Sequence, residues 1–304
     1  MVQLVDIVSS LNREFKINEF GKDPAFSRFI PKAYNNDINW KKIFEPNFIE
    51  LFNGLMIKGY SSVCNVFLAV FPTAEILEKF IEMGDPGDLL FMHHPLTMEC
   101  GDPRGKWGRG FVHIEKSLLE RVVDKGLSIY TCHAPMDYHR TLGTSQAIAE
   151  KLGIDVTERF IHNEKHGDIG IIGDIKTTNT IELIEQLKCI FEIPYVDFEG
   201  INKSVVKKVA VIAGCGDKVN WMEEAERKGV EAYISGEIHC HIDNDYGKER
   251  YQQIKDFANK TNMSLIGVSH SASEYLVKKT LMYRWFKDKF NLNVVLIPQN
   301  KWWL

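Results

Sequence analysis

Apolar residues along this chain alternate between two rhythms. From Val2 to Phe15, the residues Val2, Leu4, Val5, Ile7, Val8 and Leu11 fall at helical spacing opposite a polar face. The stretch SSVCNVFLAV (61–70) is β-rich and reads as a strand. TAEILEKFIEMG (73–84) reads as a helix, with Thr73 as its N-cap and Gly84 as its stop. DLLFMHHP then supplies a short buried strand that ends in His93 and His94, with Pro95 closing it. This is a strand–helix–strand unit.

The alternation continues. RGKWGRG (104–110) is a Gly- and Arg-rich loop, HIEKSLLERVVDKG (113–126) an amphipathic helix, and LSIYTCH (127–133) a strand that also ends in histidine. GTSQAIAEKLG (143–153) predicts a further helix. In the second half, VKKVAVIAGCG (206–216) reads as strand and turn, NWMEEAERKG (220–229) as helix, and VEAYISGEIHCH (230–241) as a strand with histidines just beyond it. YQQIKDFANKTN (251–262) and MSLIGVSH (263–270) give another helix and strand; SASEYLVKKTLMYRWFKDKF (271–290) is the last long helix, and NVVLIP (293–298) a final strand. Strands alternating with helices predict an α/β fold with mostly parallel sheets flanked by helices. NEKHGDIGIIGDI, within 154–205, reads as a glycine-rich crossing that joins two α/β halves, 1–153 and 154–304. Residues 24–47 have mixed polarity and no clear period.

Composition narrows the function classes. The chain has 304 residues, 44% of them hydrophobic, which suffices for two domains with real cores. A formal net charge of -4 argues against a nucleic-acid or polybasic membrane partner. No apolar run approaches the roughly 20 residues of a membrane span. The N-terminal stretch lacks the basic and apolar regions of a signal peptide. Six scattered cysteines without CxxC spacing argue against a zinc finger or a disulfide framework. A cytoplasmic protein is the expectation.

In α/β sheets, function gathers at the carboxyl ends of strands. Three strands here end in histidine, at 93–94, 133 and 270. Two of these carry a carboxylate four residues further on: HAPMD gives His133 and Asp137, and HSASE gives His270 and Glu274, with Ser271 or Ser273 able to cap the helix. Each pair alone has a plain structural explanation, a turn hydrogen bond for the first and helix capping for the second. Together they point to a site for zinc, iron, manganese or nickel rather than calcium. His93, His94, Asp137, His270 and Glu274 are more ligands than one tetrahedral ion needs and suit two divalent ions about 3.5–4 Å apart. Other features weigh less. His162 and His166 read as solvated surface, and AGCGD lacks the third glycine of a dinucleotide fingerprint. His239 and His241 follow a strand and either line the same cleft or do not. NKWWL at the C-terminal end reads as packing or a subunit contact.

With FMHHPL, CHAPMD and HSASE, the chain resembles the Nif-three-like family, the GTP cyclohydrolase I type 2 homologues. The family's glycine-rich middle resembles GDIGIIGD, and its TGD-then-histidine segment resembles SGEIHCH, matching His241. The likeness spans about residues 60–300. Two departures stand out: HAPMD replaces HTNLD, and Phe71 stands where an aspartate is common. The resemblance implies a two-lobed α/β fold with a dinuclear metal site in the cleft between the lobes, His93, His94, Asp137, His270 and Glu274 as ligands, and His133 close by. It implies a homo-hexamer built from dimers. The family name implies hydrolytic opening of the guanine imidazole ring of GTP, with a metal-activated water as nucleophile. His133 and His241 are the expected proton shuttles, histidine being the side-chain type suited to that role at neutral pH. The alternative is a non-enzymatic metal-binding adaptor or regulatory scaffold.

Overall fold

The computed structural model describes all residues except 35–37, 302 and 304. These residues form two compact units. The first comprises Met1–Met98, Phe111–Met136 and Lys278–Asn300; the second comprises Glu99–Gly110, Asp137–Val277 and Lys301–Leu304. The expected join at 153–154 thus falls within the second unit, and the chain passes between units more than once.

The first unit is built on a five-stranded sheet in the order Asn293–Leu296, Asn65–Leu68, Leu89–Met92, Ser128–Thr131, Gly54–Ile57. Its first four strands run parallel, and Gly54–Ile57 pairs antiparallel at one edge. Leu89–Met92 is buried at all four positions, as an interior parallel strand covered on both faces must be. The helix Ala74–Met83 begins as its sequence predicts, with Thr73 Oγ1 accepting from the Ile76 amide. Residues 24–47, which have no sequence period, contain the helix Phe26–Ala33 and a short 3-10 turn at Trp40–Lys42. They pack an aromatic group, Phe26, Tyr34, Trp40 and Phe44, together with Phe48 and Phe52, into the core.

The second unit holds a six-stranded mixed sheet in the order Asp197–Gly200, Ser264–Gly267, Ala232–Glu237, Val206–Cys215, Gly167–Thr178, Asp155–Asn163. The three strands Val206–Cys215, Ala232–Glu237 and Ser264–Gly267 are parallel, and the outer pairings are antiparallel. Here the sequence reading needs correction. Residues 154–178 are not a crossing between halves but a hairpin, Asp155–Asn163 against Gly167–Thr178, turning at Gly167 with φ of 92°. Most of its outer strand is exposed, so it lacks the apolar alternation that marks a half-buried strand. The helix Thr180–Phe191 follows it, with Asn179 Oδ1 accepting from the Glu182 amide.

The last long helix also differs from its reading as one regular element. It starts at His270, and residues Lys278–Met282 form a π-helical turn before Tyr283–Phe290. Within the first unit, the buried Lys278 sets its Nζ 4.2 Å over the Phe91 ring. Among the described residues, no helix is long and apolar enough to cross a membrane.

Candidate metal centre

In the first unit, two interior strands deliver three imidazoles to one place. His93 and His94 leave the end of Leu89–Met92, and both amides donate to the Val70 carbonyl, at 3.2 and 3.0 Å. That shared acceptor breaks the strict alternation of a strand and lets neighbouring side chains reach the same edge. His133 arrives from the adjacent strand, two residues past Thr131. Ring centroids of His93, His94 and His133 lie 4.6–5.1 Å apart, and one ring nitrogen from each falls within 4.8 Å of the others. His93 and His94 are buried.

Two of these rings have fixed tautomers. His93 Nδ1 donates to the Cys132 carbonyl at 2.8 Å, which leaves Nε2 as the ligating lone pair. His133 Nδ1 donates to Asp23 Oδ2 at 2.8 Å. Asp23 is fully buried and accepts further from the Ala25 and Phe26 amides, Asn53 Nδ2 and the Ala134 amide. Asn53 Oδ1 in turn accepts from the His133 amide at 2.8 Å. Burial pushes the Asp23 carboxyl up, but His133 and the backbone donors outweigh it and hold it well below the usual carboxylate range. Phe71 stacks on the His94 ring at 4.2 Å, an apolar wall where the family pattern commonly has aspartate.

The second unit builds a cluster of the opposite electrical character. His270 Nδ1 meets Glu237 Oε1 at 2.9 Å and His270 Nε2 meets Glu274 Oε1 at 3.0 Å, with all three side chains buried. Burial disfavours a charge on His270, but Glu274, Cys215 and Glu237 outweigh it and raise its pKa well above the usual value. Cys100 joins Glu237 and His270 with ligand atoms within 4.8 Å of one another, and Cys215 Sγ lies 3.5 Å from His270 Nδ1. The turn into the helix is tight. Ser269 takes φ of 76°, a left-handed conformation that costs a non-glycine residue energy, and its Oγ accepts from the Ala272 amide at 3.3 Å. Ser269 therefore caps this turn, rather than Ser271 or Ser273, which lie inside the helix. Ser273 instead receives the Gly214 amide and donates to the His270 carbonyl. At Gly214, φ is 66°, and a Cβ there would stand 2.5 Å from Glu274 Oε1.

Asp137 closes the short helix Ala134–Asp137 and accepts from Thr144 Oγ1 at 2.8 Å; none of the three-residue ligand clusters within either unit includes it. His162 is exposed and pairs with Asp168 across the hairpin at 2.9 Å, in keeping with a solvated surface. His239 and His241 gather with Asp197 in a separate cluster of the second unit. Part of NKWWL, Trp302 and Leu304, lies outside the described residues; Trp303 is buried.

Three acids escape the sequence reading. Asp23 precedes the aperiodic stretch and shows no motif. Glu237 stands in SGEIHCH, where the acidic residue after glycine is a usable signal. Asp197 begins an edge strand with nothing nearby to mark it.

These features define a mixed α/β protein with histidine–carboxylate clusters at the carboxyl ends of its strands. The profile of the Duf34/NIF3 family (NGG1p interacting factor 3) matches residues 50–301, and the chain belongs to that family. A "GTP cyclohydrolase 1 type 2 homolog" of Pyrococcus horikoshii is 30% identical over 253 residues, covering 81% of this chain and 88% of the relative. One of the same name from Archaeoglobus fulgidus is 30% identical over 188 residues, covering 61% and 69%. Among solved structures, protein ybgI, described as of unknown function, superposes with a TM-score of 0.69 at 18% identity, covering 99% of this chain and 100% of its own. TTHA1606 from Thermus thermophilus gives 0.64 at 20% identity, with 99% of each chain covered. At these identities the structural likeness establishes the fold.

Proposed function

We propose that the protein is a dinuclear metal-dependent hydrolase, with His93, His94, Asp137, His270 and Glu274 as the ligands of two divalent ions. The observation that supports it most is the setting of His270: a buried imidazole with a carboxylate on each ring nitrogen, Glu237 on Nδ1 and Glu274 on Nε2. A carboxylate on Nδ1 is the usual outer partner of a metal-ligating histidine, and it aims Nε2 at the ion. The donor set, imidazole nitrogen with carboxylate oxygen, suits zinc, iron or manganese. When bound, such ions make water a nucleophile at neutral pH and neutralise developing negative charge.

The chain's own residues supply the rest. His133, held by Asp23, keeps one ring nitrogen committed and can receive or return a proton at the other. His241, the other expected shuttle, gathers with Asp197 and His239 in the second unit and stays part of this proposal. The relatives' name, GTP cyclohydrolase 1 type 2 homolog, favours a purine nucleotide as substrate, with hydrolysis at the imidazole ring carbon. A cytoplasmic homo-hexamer built from dimers belongs to the same proposal, and light scattering of the purified chain tests the assembly. The activity test is metal-reconstituted protein assayed on GTP and on phosphoester and amide substrates. Formate release from GTP that is lost in His133→Gln supports the reading. No turnover across the panel would leave a metal-binding adaptor in its place.

Two further outcomes follow from the second unit. Glu237→Gln is expected to weaken metal binding about 10–100-fold, the usual effect of losing an outer carboxylate; competition with a chromophoric chelator measures it. Gly214→Ala is expected to push the Glu274 carboxylate aside and lower metal affinity in the same assay. The left-handed backbone adds strain on the order of 1 kcal/mol, so its thermal midpoint should fall only modestly.

A further inference from the structure

The second unit carries another cluster that the proposed dinuclear centre does not use. His239 and His241 follow the strand Ala232–Glu237, and Asp197 opens the edge strand Asp197–Gly200, opposite Gly267 at the end of Ser264–Gly267. All three therefore lie at the carboxyl edge of the parallel strands, where α/β sheets place ligands. The geometry points to a further divalent transition-metal site formed by Asp197, His239 and His241.

One ligand atom from each of the three residues lies within 4.8 Å of the other two. His239 Nδ1 donates to Asp197 Oδ2 at 2.5 Å, so its Nε2 carries a lone pair. That Nε2 faces Glu199 Oε1 at 3.4 Å, and His241 Nε2 faces Asp197 Oδ2 at 3.7 Å. Neither contact is a hydrogen bond, and both nitrogens are buried without a hydrogen-bond partner among the described residues. The His239 Nε2 lone pair therefore faces a carboxylate oxygen in a buried place, an arrangement that a cation beside them relieves. A proton on His239 Nε2 would serve the same end only by making that ring an imidazolium, with Lys255 already 2.6 Å from Glu199. A single divalent ion resolves the arrangement with neutral rings.

The surroundings hold the rings in place. Tyr251 packs against both imidazoles, with centroids 4.7 and 5.3 Å away, and Trp107 covers His241 at 5.5 Å. The His241 carbonyl accepts from the Gly108 amide at 2.7 Å, which fixes its backbone. Burial pushes the Asp197 carboxyl up, but His239 and His241 beside it bring it down to about 2, so it is an anion at neutral pH. Three nitrogen and oxygen ligands leave an open position for a water or an exogenous anion, the pattern of zinc sites that bind substrate.

Cobalt(II) titration of metal-stripped protein tests the site, read by visible absorption and by bound cobalt per chain. His239→Gln is expected to lose one bound equivalent and its share of the absorption relative to the native chain. The same comparison in a His93→Ala/Glu274→Gln background, checked for folding by circular dichroism, is expected to show one remaining equivalent that Asp197→Asn also removes. Equal cobalt in the native chain and His239→Gln overturns the site. Equal cobalt in the native chain and the His93→Ala/Glu274→Gln background overturns the dinuclear reading instead, so the two failures are distinguishable.

Discussion

His93→Ala combined with Glu274→Gln is expected to cost the protein about two equivalents of divalent metal, the number a dinuclear centre holds. The measurement is elemental analysis of native and variant protein purified in parallel without chelators. The expected size follows from chemistry. An outer partner such as Glu237 is worth about 10–100-fold in affinity, and a direct ligand is worth more. Removing one imidazole and one carboxylate takes a donor from each cluster, and the remaining groups are too few to hold either ion tightly. The units are expected to stay folded, because Gln keeps the shape of Glu274 and the hydrophobic cores are untouched, and circular dichroism of the variant checks this. Full metal content in the double variant would refute the ligand assignment, and every hydrolytic step built on it.

The paired histidines are legible in the sequence because both their cause and their context are local. Four apolar residues announce the strand Leu89–Met92, and proline announces its end. The same holds for Ser128–Thr131 and for the helix starting at Thr73. What stays hidden depends on distance along the chain. Asp23 acts through His133, 110 residues away, and Glu237 through His270, 33 residues away, so no short window of sequence contains either pair. The hairpin at 155–178 is illegible for a different reason. An edge strand exposed on most of its length has no burial pattern to advertise it, and the glycines that suggest a crossing serve close packing instead. A Cβ at Gly170 would stand 2.3 Å from the Phe160 ring, and one at Gly173 2.3 Å from the Asp155 carbonyl. The π turn at Lys278–Met282 leaves the helical period nearly intact, so a periodic reading passes over it.

Asp23→Ala is expected to destabilise the first unit by about 3 kcal/mol or more, since each buried donor left without its acceptor costs about 1–3 kcal/mol. The carboxylate is fully buried and accepts from His133, Asn53 and three backbone amides. Alanine leaves those donors without an acceptor where water is scarce, and each such orphan is costly. Asp23→Asn is expected to recover little. An amide has one acceptor oxygen, and its NH2 would face either the Ala25 and Phe26 amides or the His133, Asn53 and Ala134 donors. The pH dependence has a definite sign. The folded pKa of Asp23 is depressed, so its contribution is fully present above the unfolded value of about 3.9 and is lost as pH falls through the lower folded value. Urea denaturation at neutral pH should therefore show the full gap between native protein and Asp23→Ala, and the gap should narrow only under strongly acidic conditions. A gap below about 1 kcal/mol at neutral pH, the size of an ordinary exposed ion pair, would mean that Asp23 does not anchor His133.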